Sequence, residues 1–232
     1  MSRATMLAAA GPRAPIMGIG VLPGPDGPVD YEIGWPEFER DQAWADRVLE
    51  RWGISAGDRI LLVLANHEYA WAGSLIAAIR ARRAVYSPVE PYGWDVRRLS
   101  TFLRSHDIRA VIGLPRETVE AVAGSETVER LAAVPRLIVR ADAVEPLRAE
   151  GVTAAAVLGV GPALGIECPE RTGVHLDPAE WDLAVEGGTV RLSSRGTRAH
   201  TFDGFDTGLP GELVDEPCAC GLPGTRIALH QS

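Results

Sequence analysis

The strongest constraint on this chain is an alternation that begins at residue 36, where short apolar runs of strand length are separated by amphipathic stretches of helix length. Phe38, Trp44, Ala45, Val48, Leu49 and Trp52 recur at helical spacing, which predicts a helix that stops at Gly53. RILLVLA (59–65) is a continuous apolar run, as expected for a strand buried on both faces. The spacing then predicts a helix over 68–82, a strand over 84–89, a helix over 94–106 and a strand over 109–114. A helix over 116–132, a strand over 136–140, a short helix near 143–150 and the apolar stretch TAAAVLGVG complete the series. Strands alternating with helices imply βαβ units: an α/β fold with a mainly parallel sheet, flanking helices and right-handed crossovers.

On either side the texture differs. Residues 1–35 are rich in Gly, Pro and Ala and read as an irregular arm with one short strand near 29–33. Beyond about residue 163 come short strand-like runs (GVHL, DLAVEG, TVRLSS), with a hairpin signal at Glu186-Gly187-Gly188. The expected organisation is an arm (1–35), an α/β domain (36–163) and a small β-rich segment (164–232). With 232 residues, 46% of them hydrophobic, the chain can bury a sizeable core.

Charge narrows the function classes. The formal net charge is −8, which leaves no basic surface for nucleic-acid phosphates or anionic lipid. All 23 basic residues are arginine, so Schiff-base, phosphate-loop and general-base lysine mechanisms are closed to these residues. No apolar run reaches the roughly 20 residues of a membrane span. Gly11, Pro12 and Pro15 interrupt the opening segment, so no signal peptide is expected. Three cysteines, an odd number, point to a reducing, cytoplasmic setting.

Those cysteines carry the sharpest chemical signal. Cys168-x6-His175 and Cys218-Ala-Cys220 together offer three thiolates and an imidazole, the ligand count of a closed tetrahedral zinc site with a structural role. The spacings are not those of common fingers, so three unrelated loop thiols beside a surface histidine are the other reading. A strained Cys218–Cys220 disulfide is a third. His67-Glu68 follows a buried strand's end, where open α/β sheets place ligands. His106-Asp107 reads as helix-end chemistry, His200 and His230 belong to no constellation, and Gly18-x-Gly20 lacks the strand–turn–helix context of a nucleotide loop.

The run from DRILLVLANHEYAWAGSL through RRAVYSPVEPYGWDVRRLSTFLRSHDIRAVIGLPRETVEAVA, with GPALGIECPERTGVHL and PCACGLPGTRI, resembles the phenylacetate–coenzyme A ligases of the adenylate-forming superfamily. The resemblance extends from about residue 27 to 227 and implies that superfamily's N-terminal-domain fold. It also implies a zinc on the matching Cys168, His175, Cys218 and Cys220, and a tendency to pair as a homodimer. Positions matching the family's substrate loops are His67, Tyr69, Trp71, Gly73, Gly161 and Pro162, while Tyr92 and Trp94 follow another strand end. Aromatic, mostly apolar walls suit an aryl or acyl carboxylate or an acyl thioester.

The same resemblance implies losses. The phosphate-wrapping SSGTTGxP loop corresponds to Leu22–Pro28 (LPGPDGP), which lacks hydroxyls and replaces amide donors by prolines. The stacking aromatic and metal-linked glutamate of YGxSE correspond to residues within Ala154–Leu158 (AAAVL), and the adenine-side GGEP to Arg140–Ala143 (RADA). The ribose-binding aspartate becomes Leu209, and two arginines become Gly204 and Asp206. The chain ends about where the family's hinge begins, so the lysine-bearing C-terminal domain is expected to be missing. ATP is therefore not an expected cofactor. The leading expectation is a reduced homologue that binds an acyl or aryl ligand. Other readings are a different reaction on a carboxylate or thioester, with His67/Glu68 as acid–base pair, and a dimerising interaction subunit.

Overall fold

The computed structural model describes residues 15–24 and 27–229. Thirteen strands and six α-helices follow in order: β1 (Ile16–Gly24), β2 (Gly27–Gly34), α1 (Trp35–Arg51), β3 (Arg59–Val63), α2 (Tyr69–Ala81), β4 (Val85–Val89), α3 (Val96–Ser105) and β5 (Ala110–Leu114). Then come α4 (Arg116–Val122), α5 (Glu126–Ala132), β6 (Arg136–Arg140), α6 (Val144–Ala149), β7 (Ala155–Val160), β8 (Ala163–Glu167), β9 (Val174–His175), β10 (Trp181–Glu186), β11 (Thr189–Ser194), β12 (Phe205–Val214) and β13 (Arg226–Leu229). Short 3-10 turns at Asn66–Glu68, Gly93–Asp95 and Ala141–Ala143 lead into α2, α3 and α6.

Eleven strands form one sheet in the order β10-β11-β12-β13-β9-β8-β7-β6-β5-β3-β4. From β4 to β7 every pairing is parallel, and from β7 to β10 every pairing is antiparallel. The expected mainly parallel sheet is therefore a mixed one. The cause is connection length. A parallel return needs a crossover of a dozen or more residues, whereas β7 and β8 are joined through Gly161 and Pro162 alone.

Alternate residues of β3 enter different cores, as a strand buried on both faces requires. Ile60 and Leu62 meet Leu49, Leu75 and Ile79 of α1 and α2. Leu61 and Val63 meet Leu99, Leu131 and Leu147 of α3, α5 and α6. The helix expected over 116–132 is two helices, because Gly124 turns the chain at φ +66° and Ser125 caps α5 by accepting from the Thr127 N–H at 3.2 Å. The arm also differs from expectation: its described part is a β1–β2 hairpin, with Leu22, Tyr31 and Ile33 buried against Trp181, Leu192, Phe202 and Ile227. Among the described residues no helix is long and apolar enough to cross a membrane.

Candidate functional site

β3 sends its chain to β4 on one side and β5 lies on the other, so the strand order reverses between β3 and β5, the position at which open α/β sheets place ligands. The 3-10 turn after β3 sets Glu68 back towards the sheet, where its carboxylate accepts the Ala65 N–H at 2.7 Å and pairs with Arg140 from the end of β6. Arg140 also donates through Nε to the Gly113 carbonyl at 3.1 Å, so one guanidinium joins the ends of three strands. Gly113 is required for this: φ is +89°, and a Cβ there would lie 2.6 Å from the Val63 carbonyl oxygen. Glu68 is thus held as an ion-pair partner, while His67 is exposed at the mouth.

Beside this pair opens a cleft of about 420 Å³. His67, Glu68, Trp71 and Gly161 line it, joined by Tyr31, Phe205 and residues 157–159. Pro162 lies next door, on a cavity of about 20 Å³ shared with Trp71 and Tyr31. The other expected pocket residues lie elsewhere. Gly73 is buried beneath the Tyr69 ring, Tyr69 is exposed, and Tyr92 and Trp94 stack on each other with ring centroids 6.0 Å apart, largely in solvent. Sequence reasoning missed Tyr31 and Phe205, which come from the hairpin and β12 and line the cleft, and the pairing of Arg140 with Glu68.

A second cavity, about 450 Å³, adjoins the cleft across Ala141 and Asp142. Ala154, Ala156 and Leu209 line it, so segments matched by resemblance to nucleotide recognition converge here. At these three positions the side chains are methyl and isobutyl groups, with neither a ring to stack on a base nor a carboxylate for a ribose. Asp142, Glu145 and Glu167 and the guanidinium groups of Arg116, Arg148 and Arg171 line the same cavity. Of the phosphate-loop match, Leu22 and Pro23 face the cleft, and Pro25 and Asp26 lie outside the described residues, as does His230.

Cys168, His175, Cys218 and Cys220 are brought together, their ligand atoms all within 4.8 Å of one another. Cys168 follows β8, His175 ends β9, and Cys218 and Cys220 lie in the turn before β13. The Cys168 and Cys218 Sγ atoms are 3.6 Å apart, as are Cys220 Sγ and His175 Nε2. A tetrahedron of metal–sulfur bonds near 2.3 Å has edges of about 3.7 Å, so the donors already stand near the spacing of a zinc-type centre. All three thiols are free, which removes the disulfide reading. Burial pushes the Cys168 thiol up to about 12 and the Cys220 thiol upward; it pushes His175 down to about 4, aided by the Arg226 charge, leaving the imidazole neutral and ready to ligate. At Cys218 burial acts upward too, but the Cys220 N–H, the Thr172 hydroxyl and the other thiols outweigh it and bring the group down to about 7.

No family model and no curated protein matches the chain. Solved structures do. A 2-hydroxyisobutyryl-CoA ligase in complex with 2-HIB-AMP and CoA superposes with a TM-score of 0.68 at 14% identity, over 97% of this chain and 55% of that one. A malonyl-CoA ligase with methylmalonyl-CoA and AMP bound gives 0.60 at 15% identity, over 90% and 52%. The NpsA N-terminal subdomain of Klebsiella oxytoca, in complex with 3-hydroxybenzoyl-AMSN, gives 0.54 at 18% identity, over 80% and 51%. The chain has the fold of the adenylate-forming CoA ligases and spans about half the length of these structures.

Proposed function

We propose that this protein binds a small aryl or acyl carboxylate, or an acyl thioester, in the cleft beside Trp71, on a scaffold clasped by a structural zinc, and that it does not itself carry out ATP-dependent adenylation. One observation carries the reading. The ligase-like fold keeps an open cleft walled by Tyr31, Trp71 and Phe205, while in the adjoining cavity three positions matched to nucleotide handling carry only the aliphatic side chains of Ala154, Ala156 and Leu209. An apolar wall with polar groups at one end holds an amphipathic acid, whereas positions 154, 156 and 209 offer a nucleotide and its magnesium neither the ring nor the carboxylates that the resemblance implies there. Zinc would be held by Cys168, His175, Cys218 and Cys220, four protein donors that leave no position for a reacting water.

Thermal-shift measurement tests the binding. Phenylacetate, benzoate and short-chain acids should raise the melting temperature, by roughly 5–10 °C for a ligand at a hundred times its dissociation constant. Magnesium–ATP should not. A magnesium-dependent shift with ATP, and none with any acid, overturns the proposal. Metal analysis of the purified chain should find one zinc per molecule.

A further inference from the structure

We infer that Arg226 is the outer-sphere counter-charge of the Cys168–His175–Cys218–Cys220 centre, holding both ligand-bearing loops around a divalent ion bound by three thiolates. The inference rests on the metal reading above and goes beyond its four ligands. Arg226 is 4% exposed, and among the described residues no carboxylate forms an ion pair with it. A buried cation without an anion is strongly disfavoured, so its burial requires a negative group nearby. The metal centre is that group. A divalent ion, three thiolates and a neutral imidazole sum to −1, which one guanidinium cancels.

The hydrogen bonds fix where the guanidinium acts. On β13, Arg226 stands directly across from His175 on β9. Nη1 donates to the Thr172 carbonyl at 2.6 Å and meets the Thr172 hydroxyl, in the loop between Cys168 and His175. Nη2 donates to the Glu216 carbonyl at 2.9 Å, two residues before Cys218. The Thr172 hydroxyl is in turn 3.5 Å from Cys218 Sγ. Arg226 thus bridges the two loops that supply the ligands, as outer-shell partners do when they orient a metal's first shell. Its Nε–H is buried without a hydrogen-bond acceptor among the described residues.

The test compares the full chain with its Arg226→Gln and Arg226→Lys variants, using zinc affinity by chelator competition, the visible spectrum of the cobalt-loaded protein, and metal-free melting temperature. Arg226→Gln should bind zinc roughly 10–100-fold more weakly. Arg226→Lys keeps the charge and should stay within about 10-fold of the parent, with tetrahedral cobalt–thiolate bands in both. Equal zinc affinity in folded Arg226→Gln overturns the counter-charge role, as does a lysine variant that folds yet binds as weakly as Cys218→Ser. That second comparison decides the matter if the glutamine variant does not fold. Absence of cobalt–thiolate bands in the parent overturns the metal reading itself, a result distinct from tight binding that ignores position 226.

Discussion

Tyr31 carries its hydroxyl under the hairpin, over Gly20, with no hydrogen-bond partner among the described residues. Burial pushes its pKa up to about 12, against the pull of Arg198 and with some help from Asp41. Because the folded value lies above the ordinary 10, the protonated hydroxyl's contribution is intact below pH 10 and is lost as pH rises through about 12. Alkaline titration followed by ultraviolet absorbance should show one tyrosine ionising late, together with unfolding. Tyr31→Phe should abolish that step and leave stability at pH 7 within about 1 kcal/mol, since no bond is removed. A second residue tests the cleft. A Cβ at Gly159 would stand 3.1 Å from the Trp71 ring, so Gly159→Val should crowd the indole into the cleft and weaken carboxylate binding at least about 10-fold. The melting temperature should change little, because Gly159 is exposed and its backbone is of ordinary conformation. At this scale the sequence reveals His67-Glu68 at a strand end, but not the guanidinium of Arg140, which arrives from 72 residues away and takes up the Glu68 carboxylate.

Helices and strands show the same division between local pattern and distant partner. The spacing of Phe38, Trp44, Val48 and Leu49 names the apolar face of α1, yet nothing in it tells that Arg40 and Asp41 on the same helix meet the β-rich segment. Arg198, in the loop between β11 and β12, donates to Asp41 at 2.5 Å and to Glu180 at 2.7 Å, and its guanidinium lies 4.3 Å from the Trp181 ring centre. Arg40 completes the cluster through Glu180 at 2.6 Å. The Arg198 side chain is 6% exposed, so Arg198→Met leaves Asp41 and Glu180 facing each other with one cation where two had been. Urea unfolding should register a loss of about 3–5 kcal/mol, whereas an effect below about 1 kcal/mol would mean the cluster behaves as surface charge. The hairpin was hidden for a different reason. Pro23 and Pro28 read as strand breakers, but they face each other at the end of a two-stranded ribbon, where their missing N–H groups interrupt no central ladder.

Across the whole molecule, the parallel half was legible because each βαβ unit announces itself locally, through an apolar run and a helical period. In the antiparallel half the runs at β9, β10 and β11 and the hairpin at Glu186-Gly187-Gly188 were legible too. The strand order was not, because β8, β9, β12 and β13 are short or irregular and gain their order from neighbours far along the chain: β13 lies between β12 and β9. The Cys/His clasp sits at that weak point. A metal held there would tie the end of β8 and the two-residue β9 to the turn that precedes β13, where few large apolar side chains are available. Metal should therefore stabilise this half specifically. An ion present at a thousand times its dissociation constant adds about 4 kcal/mol by mass action, or roughly 8–16 °C in melting temperature for a chain of this size. Chelation should remove that increment, and Cys218→Ser should remove most of it. Hydrogen exchange locates the effect: amides over 163–176 and 205–229 should lose protection in the metal-free protein, while those of β3, β5 and β6, buried between helices on both faces, should keep theirs. Equal loss of protection in both halves would mean that the clasp supports the molecule globally and not the antiparallel half in particular.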